Sequence, residues 1–106
     1  MNMFSFLKKD YKVINVNDLA GGDTKNLIDI REPAEYKSGH VPGAKNIPMQ
    51  QLLNQPEKYL SKDTNYKIVC QSGGRSSRAC DALSKAGYDV TNVAGGTGYF
   101  VGPLER

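Results

Sequence analysis

A chain of 106 residues has room for one domain built around one core. Hydrophobic residues at 39% and charged residues at 24% are the proportions of an ordinary globular protein, not of a disordered or fibrous one. The net charge is only +3 and no basic run exceeds Lys8-Lys9, which argues against a nucleic-acid-binding arm or stripe. The opening segment, Met1 to Lys9, lacks the basic start and the apolar length of a signal peptide. Residues 1–10 are therefore read as an N-terminal extension of a single domain spanning 1–106. No apolar run approaches membrane-spanning length, and a cytoplasmic setting is expected.

Lys12 to Val16 is rich in β-branched residues and predicts a short edge strand. Asn17 to Ala20 predicts one helical turn, capped by Asn17 or Asp18 and ended by Gly21-Gly22. Asn26 to Arg31 reads as a strand whose C-terminal end turns polar. A short helix follows, with Pro33 at its first position, Glu32 and Glu35 complementing its positive end, and Gly39 stopping it. His40-Val41-Pro42-Gly43 turns the chain into a strand over Ala44 to Pro48. Met49 to Leu60 predicts a helix interrupted by Pro56, and Tyr66 to Val69 is the most apolar strand. Arg75 to Ala86 predicts the best helix of the chain, burying Ala79, Ala82, Leu83 and Ala86, with Gly87 as its stop. Asp89 to Val93 forms a last strand before Gly95-Gly96-Thr97-Gly98. Strands alternating with helices predict an α/β fold with a mainly parallel sheet, whose ligands bind at the carboxyl ends of the strands.

Cys70 falls at such an end. It opens the run Cys70-Gln71-Ser72-Gly73-Gly74-Arg75-Ser76, between the apolar strand and the long helix. Unpaired N–H groups and the helix dipole favour an anion there, which lowers a thiol pKa and favours the reactive thiolate. Gly73 and Gly74 permit positive φ, so that consecutive N–H groups of Gln71 to Ser76 turn inward. Arg75 is a cation in a first helical turn, where the dipole disfavours it. That mismatch points to an anion-facing role, either pairing with a substrate or holding the loop. Arg78, about one turn on, is undecided between solvent and site. Two cysteines are too few for a disulfide scaffold, and with His40 as the single histidine no metal or organic cofactor is expected.

Four segments together resemble a single-domain rhodanese, a sulfurtransferase. They are Asp29-Ile30-Arg31-Glu32-Pro33-Ala34-Glu35-Tyr36, Gly39 to Pro48, the Cys70 to Ser76 loop, and Gly95-Gly96. The resemblance runs from about Tyr11 to the C-terminus in the family's order and spacing. It implies a three-layer α/β/α domain with about five mainly parallel strands, and a cysteine that accepts sulfane sulfur as a persulfide. It also implies that Arg31 approaches the mouth of the site while Asp29 fixes local structure. The partners it implies are a small sulfur donor, thiosulfate or a persulfide, and a thiol, cyanide or protein acceptor; nucleic acid and membrane are not among them.

Two rival readings are weighed. In the related phosphatases and arsenate reductases, the resemblance implies a loop one residue longer, and only four residues separate Cys70 from Arg75 here. A docking module without chemistry has no physical need for Cys70 and Arg75 together. Gln71 offers hydrogen bonds but no charge beside the nucleophile, so both donors stay open at this point. His40 reads as a hydrogen-bonded turn residue rather than a base. Cys80 reads as a packing residue rather than a resolving thiol.

Overall fold

A computed structural model of the chain describes residues 11–19 and 22–106, so the expectations for residues 1–10 and for Ala20 and Gly21 lie outside it. The strands are β1 (Lys12–Asn15), β2 (Leu27–Asp29), β3 (Lys45–Asn46), β4 (Asn65–Val69) and β5 (Asp89–Ala94). The helices are α1 (Pro33–Ser38), α2 (Met49–Asn54), α3 (Pro56–Tyr59) and α4 (Gly74–Lys85), with 3-10 turns at Val16–Leu19 and Thr97–Tyr99. All strand pairs are parallel, in the order β1-β5-β4-β2-β3, which is the α/β architecture expected.

β-strand alternation divides the core between the two faces of the sheet. Ile28, Ile68, Cys70 and Val90 join Leu52, Ala79, Cys80 and Leu83 in one cluster, under α2 and α4. Leu27, Val69 and Val93 join Val16, Leu19 and Val41 in the other, against which Tyr36 of α1 packs. Both faces are therefore covered, as a parallel sheet requires.

Several boundaries differ from the sequence reading. The strand expected over Asn26 to Arg31 is only Leu27–Asp29. Asn26 stands at φ 58, and the Arg31 N–H turns back to Asp29 Oδ1 at 3.0 Å. The strand over Ala44 to Pro48 shrinks to Lys45–Asn46, since Pro48 has no N–H to pair. The helix over Met49 to Leu60 splits at Gln55, and Pro56 starts α3 instead of kinking one longer helix. The turn near Asn17 begins at Val16 and is held by Asn15, whose Oδ1 accepts from Asn17 N at 2.9 Å.

The buried stripe of α4 is Ser76, Ala79, Cys80 and Leu83, with Ala82 and Ala86 exposed. Alanine marks a helical face weakly, whereas Cys80 and a self-satisfied serine fill a core as well as a methyl group does.

Topology locates the site. After β2 the chain crosses outward to β3, but after β4 it crosses to β5 on the other side of the sheet. The loops leaving β2 and β4 therefore part, and a crevice opens between their carboxyl ends. Asp29 and Arg31 lie at one lip and Cys70 at the other.

Candidate active site

Cys70 follows the last residue of the central strand β4 and is 1% exposed. The loop after β5 clasps the backbone on either side of it. Thr97 N donates to Cys70 O at 2.9 Å and Gly98 N donates to Gln71 O at 3.0 Å. A trans peptide points its C=O and N–H in opposite directions, so fixing these carbonyls outward orients the next N–H groups the other way. The clasp demands glycine at Gly96, where φ is +65 and a Cβ would lie 2.5 Å from both carbonyl oxygens. Gly95-Gly96 thus serves close backbone approach, not flexibility.

The sulfur is the focus of that arrangement. Gly73 N donates to Cys70 Sγ at 3.1 Å and Ser76 N donates at 3.3 Å. Ser76 is the third residue of α4, so its N–H is one of those that a helix leaves unspent. The Cys70 S–H lies 3.4 Å from Ser76 Oγ, and that hydroxyl donates to Gly73 O at 3.1 Å. Burial alone would push the Cys70 thiol up. The Ser76 hydroxyl and the N–H groups of Ser76, Gly73 and Ser72 outweigh it, and the thiol sits below its ordinary pKa.

The two loop glycines differ. Gly73 takes φ +106, as the sequence reading expects. Gly74 does not; it is the first residue of α4, and a Cβ there would meet nothing closer than Arg78 Nη1 at 3.8 Å.

Asp29, Arg31 and Gln71 come together as one network. Arg31, 3% exposed, donates from Nε and Nη2 to the fully buried Asp29 carboxylate at 2.9–3.1 Å. Its Nη2 also donates to Gly39 O at 2.7 Å, and its Nη1 to Gln71 Oε1 at 3.0 Å. Asn46 Nδ2 ties down Asp29 O and Arg31 O, both at 2.9 Å. Arg31 thus reaches the residue next to Cys70, and four of its five N–H donors are spent on the protein itself.

Arg75 finds its anion within the chain. It makes a two-pronged ion pair with Glu35 of α1, at 2.9 Å on each arm. This contact relieves the dipole mismatch that the sequence presents. Arg75 holds the Glu35 carboxyl at about 2, helped by the Glu32 N–H and opposed by partial burial. Arg78 is exposed.

His40 is a turn residue. Its Nδ1 lies 2.9 Å from Tyr36 O, its ring stacks on Tyr36 at 3.7 Å, and its backbone pairs with Glu105. Cys80 is fully buried, and burial pushes its thiol up to about 12. Both cysteines are free.

Sequence reasoning missed the contacts of four residues. Glu35 reads locally as a dipole complement, although its place three residues after Glu32 completes a capping box. The N–H groups of Thr97 and Gly98 carry no side-chain signal, and only the neighbouring Gly95-Gly96 marks them. Glu105, whose Oε1 accepts from Gly43 N at 2.8 Å, lies 62 residues from its partner and has no local signature. Among the described residues no three His, Cys, Asp or Glu side chains group as metal ligands, and no helix is long and apolar enough to cross a membrane.

Known proteins resemble this chain in sequence and fold. The model of the rhodanese-like domain matches residues 15–101. A sulfurtransferase of Allochromatium vinosum is 40% identical over 79 residues, covering 74% of this chain and 73% of that protein. YqhL, an uncharacterised protein of Bacillus subtilis, is 41% identical over 78 residues, which cover 73% of this chain and 61% of YqhL. The crystal structure of a rhodanese-like domain protein from Staphylococcus aureus superposes with a TM-score of 0.75 at 31% identity, over 89% of this chain and 96% of that one. With the parallel sheet, the loop after its central strand and these relatives in agreement, the chain belongs to the rhodanese-like sulfurtransferase family.

Proposed function

We propose that this protein carries sulfane sulfur as a persulfide on Cys70, taking it from thiosulfate or a persulfide and passing it to a thiol, cyanide or protein acceptor. One observation carries the reading: two N–H groups and a hydroxyl already converge on Cys70 Sγ, at 3.1, 3.3 and 3.4 Å. The two N–H groups, fixed in the backbone, stabilise a negative sulfur with no reorganisation during reaction, and a single donor of this kind commonly contributes about 10²–10³ in rate.

The first step consumes the thiolate. As the thiol ionises, the Ser76 hydroxyl turns from Gly73 O to the sulfur, and Gly73 O keeps the Ser77 N–H at 3.0 Å. Nothing buried loses its partner in that exchange. Cys70–S⁻ attacks the outer sulfur of the donor. One S–S bond forms to Cys70, the donor's S–S bond breaks, and its electron pair leaves with sulfite or with a thiol. The product Cys70–S–S⁻ carries its charge one atom further out, facing the same loop. An acceptor nucleophile then takes the outer sulfur and returns Cys70–S⁻, a two-step exchange that needs no external oxidant and no general base. Gln71, Ser72, Gly73, Gly74, Arg75 and Ser76 shape the cradle; Asp29 and Arg31 brace it through Gln71. A reducing cytoplasm, which keeps both thiols free, is the fitting setting.

The direct test is intact mass spectrometry of reduced protein after exposure to thiosulfate and, separately, to glutathione persulfide. The expected result is a gain of one sulfur that cyanide reverses and that Cys70→Ser lacks. Folded protein that takes no sulfur from either donor, or a Cys70→Ser variant that still loads, would remove the proposal.

A further inference from the structure

Residues 97–106 run as a strap from one lip of the crevice to the other. At its start, Thr97 N and Gly98 N hold Cys70 O and Gln71 O, at 2.9 and 3.0 Å. At its far end, Glu105 brackets His40. His40 N donates to Glu105 O and Glu105 N donates to His40 O, both at 2.9 Å, and Glu105 Oε1 accepts from Gly43 N at 2.8 Å. Leu104, 41% exposed, covers Gly39 so closely that a Cβ on that glycine would stand 3.0 Å from Leu104 Cδ1. Between the two ends, Phe100 packs on the second core cluster and Val101 N donates to Asn17 Oδ1 at 2.9 Å.

Gly39 is where the strap meets the site. Its carbonyl accepts from Arg31 Nη2 at 2.7 Å, and Arg31 Nη1 donates to Gln71 Oε1 at 3.0 Å. Val41 anchors the 39–43 segment by packing, while its hydrogen bonds to distant parts of the chain go to Arg31 and Glu105. An arginine side chain only donates, so Gln71 turns Oε1 to it and sends Nε2 the other way. Nε2 stands beside the exposed Gly98, where a Cβ would lie 3.0 Å from it. Its N–H groups have no protein partner among the described residues. Gln71 is thus held by its backbone at one end of the strap and by its side chain, through Arg31 and Gly39, at the other.

We infer that Leu104 and Glu105 are positioning residues of the active site: they clamp Gly39 and His40, Gly39 O steadies Arg31, and Arg31 steadies the Gln71 amide beside Cys70, where its free N–H groups meet the sulfur donor. The inference rests on the sulfurtransferase reading for the donor and on the strap's own contacts for the rest. Arg31 is 3% exposed, so a Gly39 that drifts away leaves an Nη2 N–H buried without a partner. The guanidinium then turns to recover one and releases Gln71 Oε1. Cys70 Sγ takes its donors from Gly73 and Ser76, neither of which bonds to Leu104 or Glu105. Slackening the strap therefore weakens the hold on the donor and leaves the acidity of the thiol as it is.

The test is a double-mutant cycle in the full chain, Leu104→Ala with Glu105→Pro against Gln71→Leu, read by single-turnover loading of Cys70 from glutathione persulfide. Glu105→Pro removes both the N–H that His40 O accepts and the carboxylate that holds Gly43 N. The strap change is expected to raise the half-saturating concentration about fivefold, the scale of one hydrogen bond, with the maximal rate within about twofold. In the Gln71→Leu chain, whose side chain cannot accept from Arg31, the same change should shift it by less than about twofold. The pH midpoint of Cys70 alkylation should stay at its wild-type place. A role in stability alone would lower the melting temperature and leave the half-saturating concentration unmoved. Leu104→Ala by itself should give a smaller rise in the same direction, and serves if the pair folds poorly. A second reading, free of sulfur chemistry, is proton–nitrogen NMR, in which the strap variants should shift the Gln71 side-chain amide. A folded strap variant with wild-type half-saturation, or an equal rise in both backgrounds, overturns the inference and leaves the sulfurtransferase reading standing. Wild-type protein that takes sulfur from neither glutathione persulfide nor thiosulfate removes that reading. The amide spectrum then decides the positioning alone: a shifted Gln71 amide sustains it and an unshifted one overturns it.

Discussion

Cys70 and Cys80 share one hydrophobic cluster and are 1% and 0% exposed, yet they are opposite kinds of thiol. Cys80 lies inside α4, where the N–H groups are spent on carbonyls one turn back. Burial acts almost alone there and pushes its thiol up to about 12, assisted by the neighbouring Asp81 charge. Cys70 lies just before the same helix, where Gly73 N and Ser76 N have no carbonyl to satisfy and turn to the sulfur instead. Burial opposes ionisation at both places. What separates them is whether unspent donors are within reach, and that is decided by position along the helix, not by depth in the core.

The largest effect that tests this contrast is selective alkylation. At neutral pH, iodoacetamide should modify Cys70 far faster than Cys80, since the two thiols shift in opposite directions and each pKa unit is a factor of ten in thiolate. The Cys70 rate should rise with pH to a plateau whose midpoint lies below that of an ordinary thiol. Ser76→Ala should move this midpoint to higher pH, because the variant keeps the burial and loses the hydroxyl. Peptide mapping after timed labelling reads both sites at once. Comparable labelling of the two cysteines in folded protein would break the comparison.

Next in size is the backbone clasp that frees those donors. A Cβ at Gly96 would lie 2.5 Å from Cys70 O and from Gln71 O, at a φ of +65 that side chains rarely adopt. Gly96→Ala should therefore destabilise the fold by about 2 kcal/mol and lower sulfur loading per folded molecule on the order of tenfold. Gly74→Ala supplies the contrast. Its Cβ meets only Arg78 Nη1, at 3.8 Å, at a helical position where alanine is preferred, so stability should hold or rise and loading should persist. Thermal melts with intact-mass loading separate the two outcomes. Equal losses in both variants would show that the clasp is not what orients the loop.

The two cysteines also mark how far local sequence carries. Cys70 with its glycines is one contiguous run, so both the loop and its candidate thiol are readable from residue types in order. α4 and the parallel sheet are readable for the same reason, because period and punctuation are local. The helix face was not. Ala82 and Ala86 extend an apolar pattern that the fold leaves exposed, while Ser76 and Cys80 are buried by the sheet beneath them. Contacts between distant segments were invisible too. Arg75 meets Glu35 across 40 residues, and Asn17 Nδ2 donates to Tyr99 O across 82. Nothing near Arg75 in the chain says which anion answers its charge, which is why residue types alone leave it open between pairing with a substrate and holding the loop.

The smallest effect concerns that ion pair. The Glu35 carboxyl stands at about 2 in the fold against 4.5 unperturbed, so its contribution to stability is complete above pH 4.5 and is lost as pH falls toward 2. Its side chain and that of Arg75 are 35% and 32% exposed, so solvent screening limits the pair to about 1 kcal/mol or less, well under what the shift alone would suggest. Glu35→Gln should melt a few degrees below wild type at pH 7, and the gap should close as pH approaches 2 and narrow in high salt. A gap that persists unchanged at pH 2 would mean that Glu35 acts by packing, not by charge. The buried Arg31–Asp29 pair has no such exposure and should keep its contribution in high salt. A contact worth so little to the fold is dispensable for stability. Its lasting consequence is positional: it ties the first turn of α4 to α1 through one N–H of each Arg75 Nη, and so fixes where that guanidinium stands beside the loop.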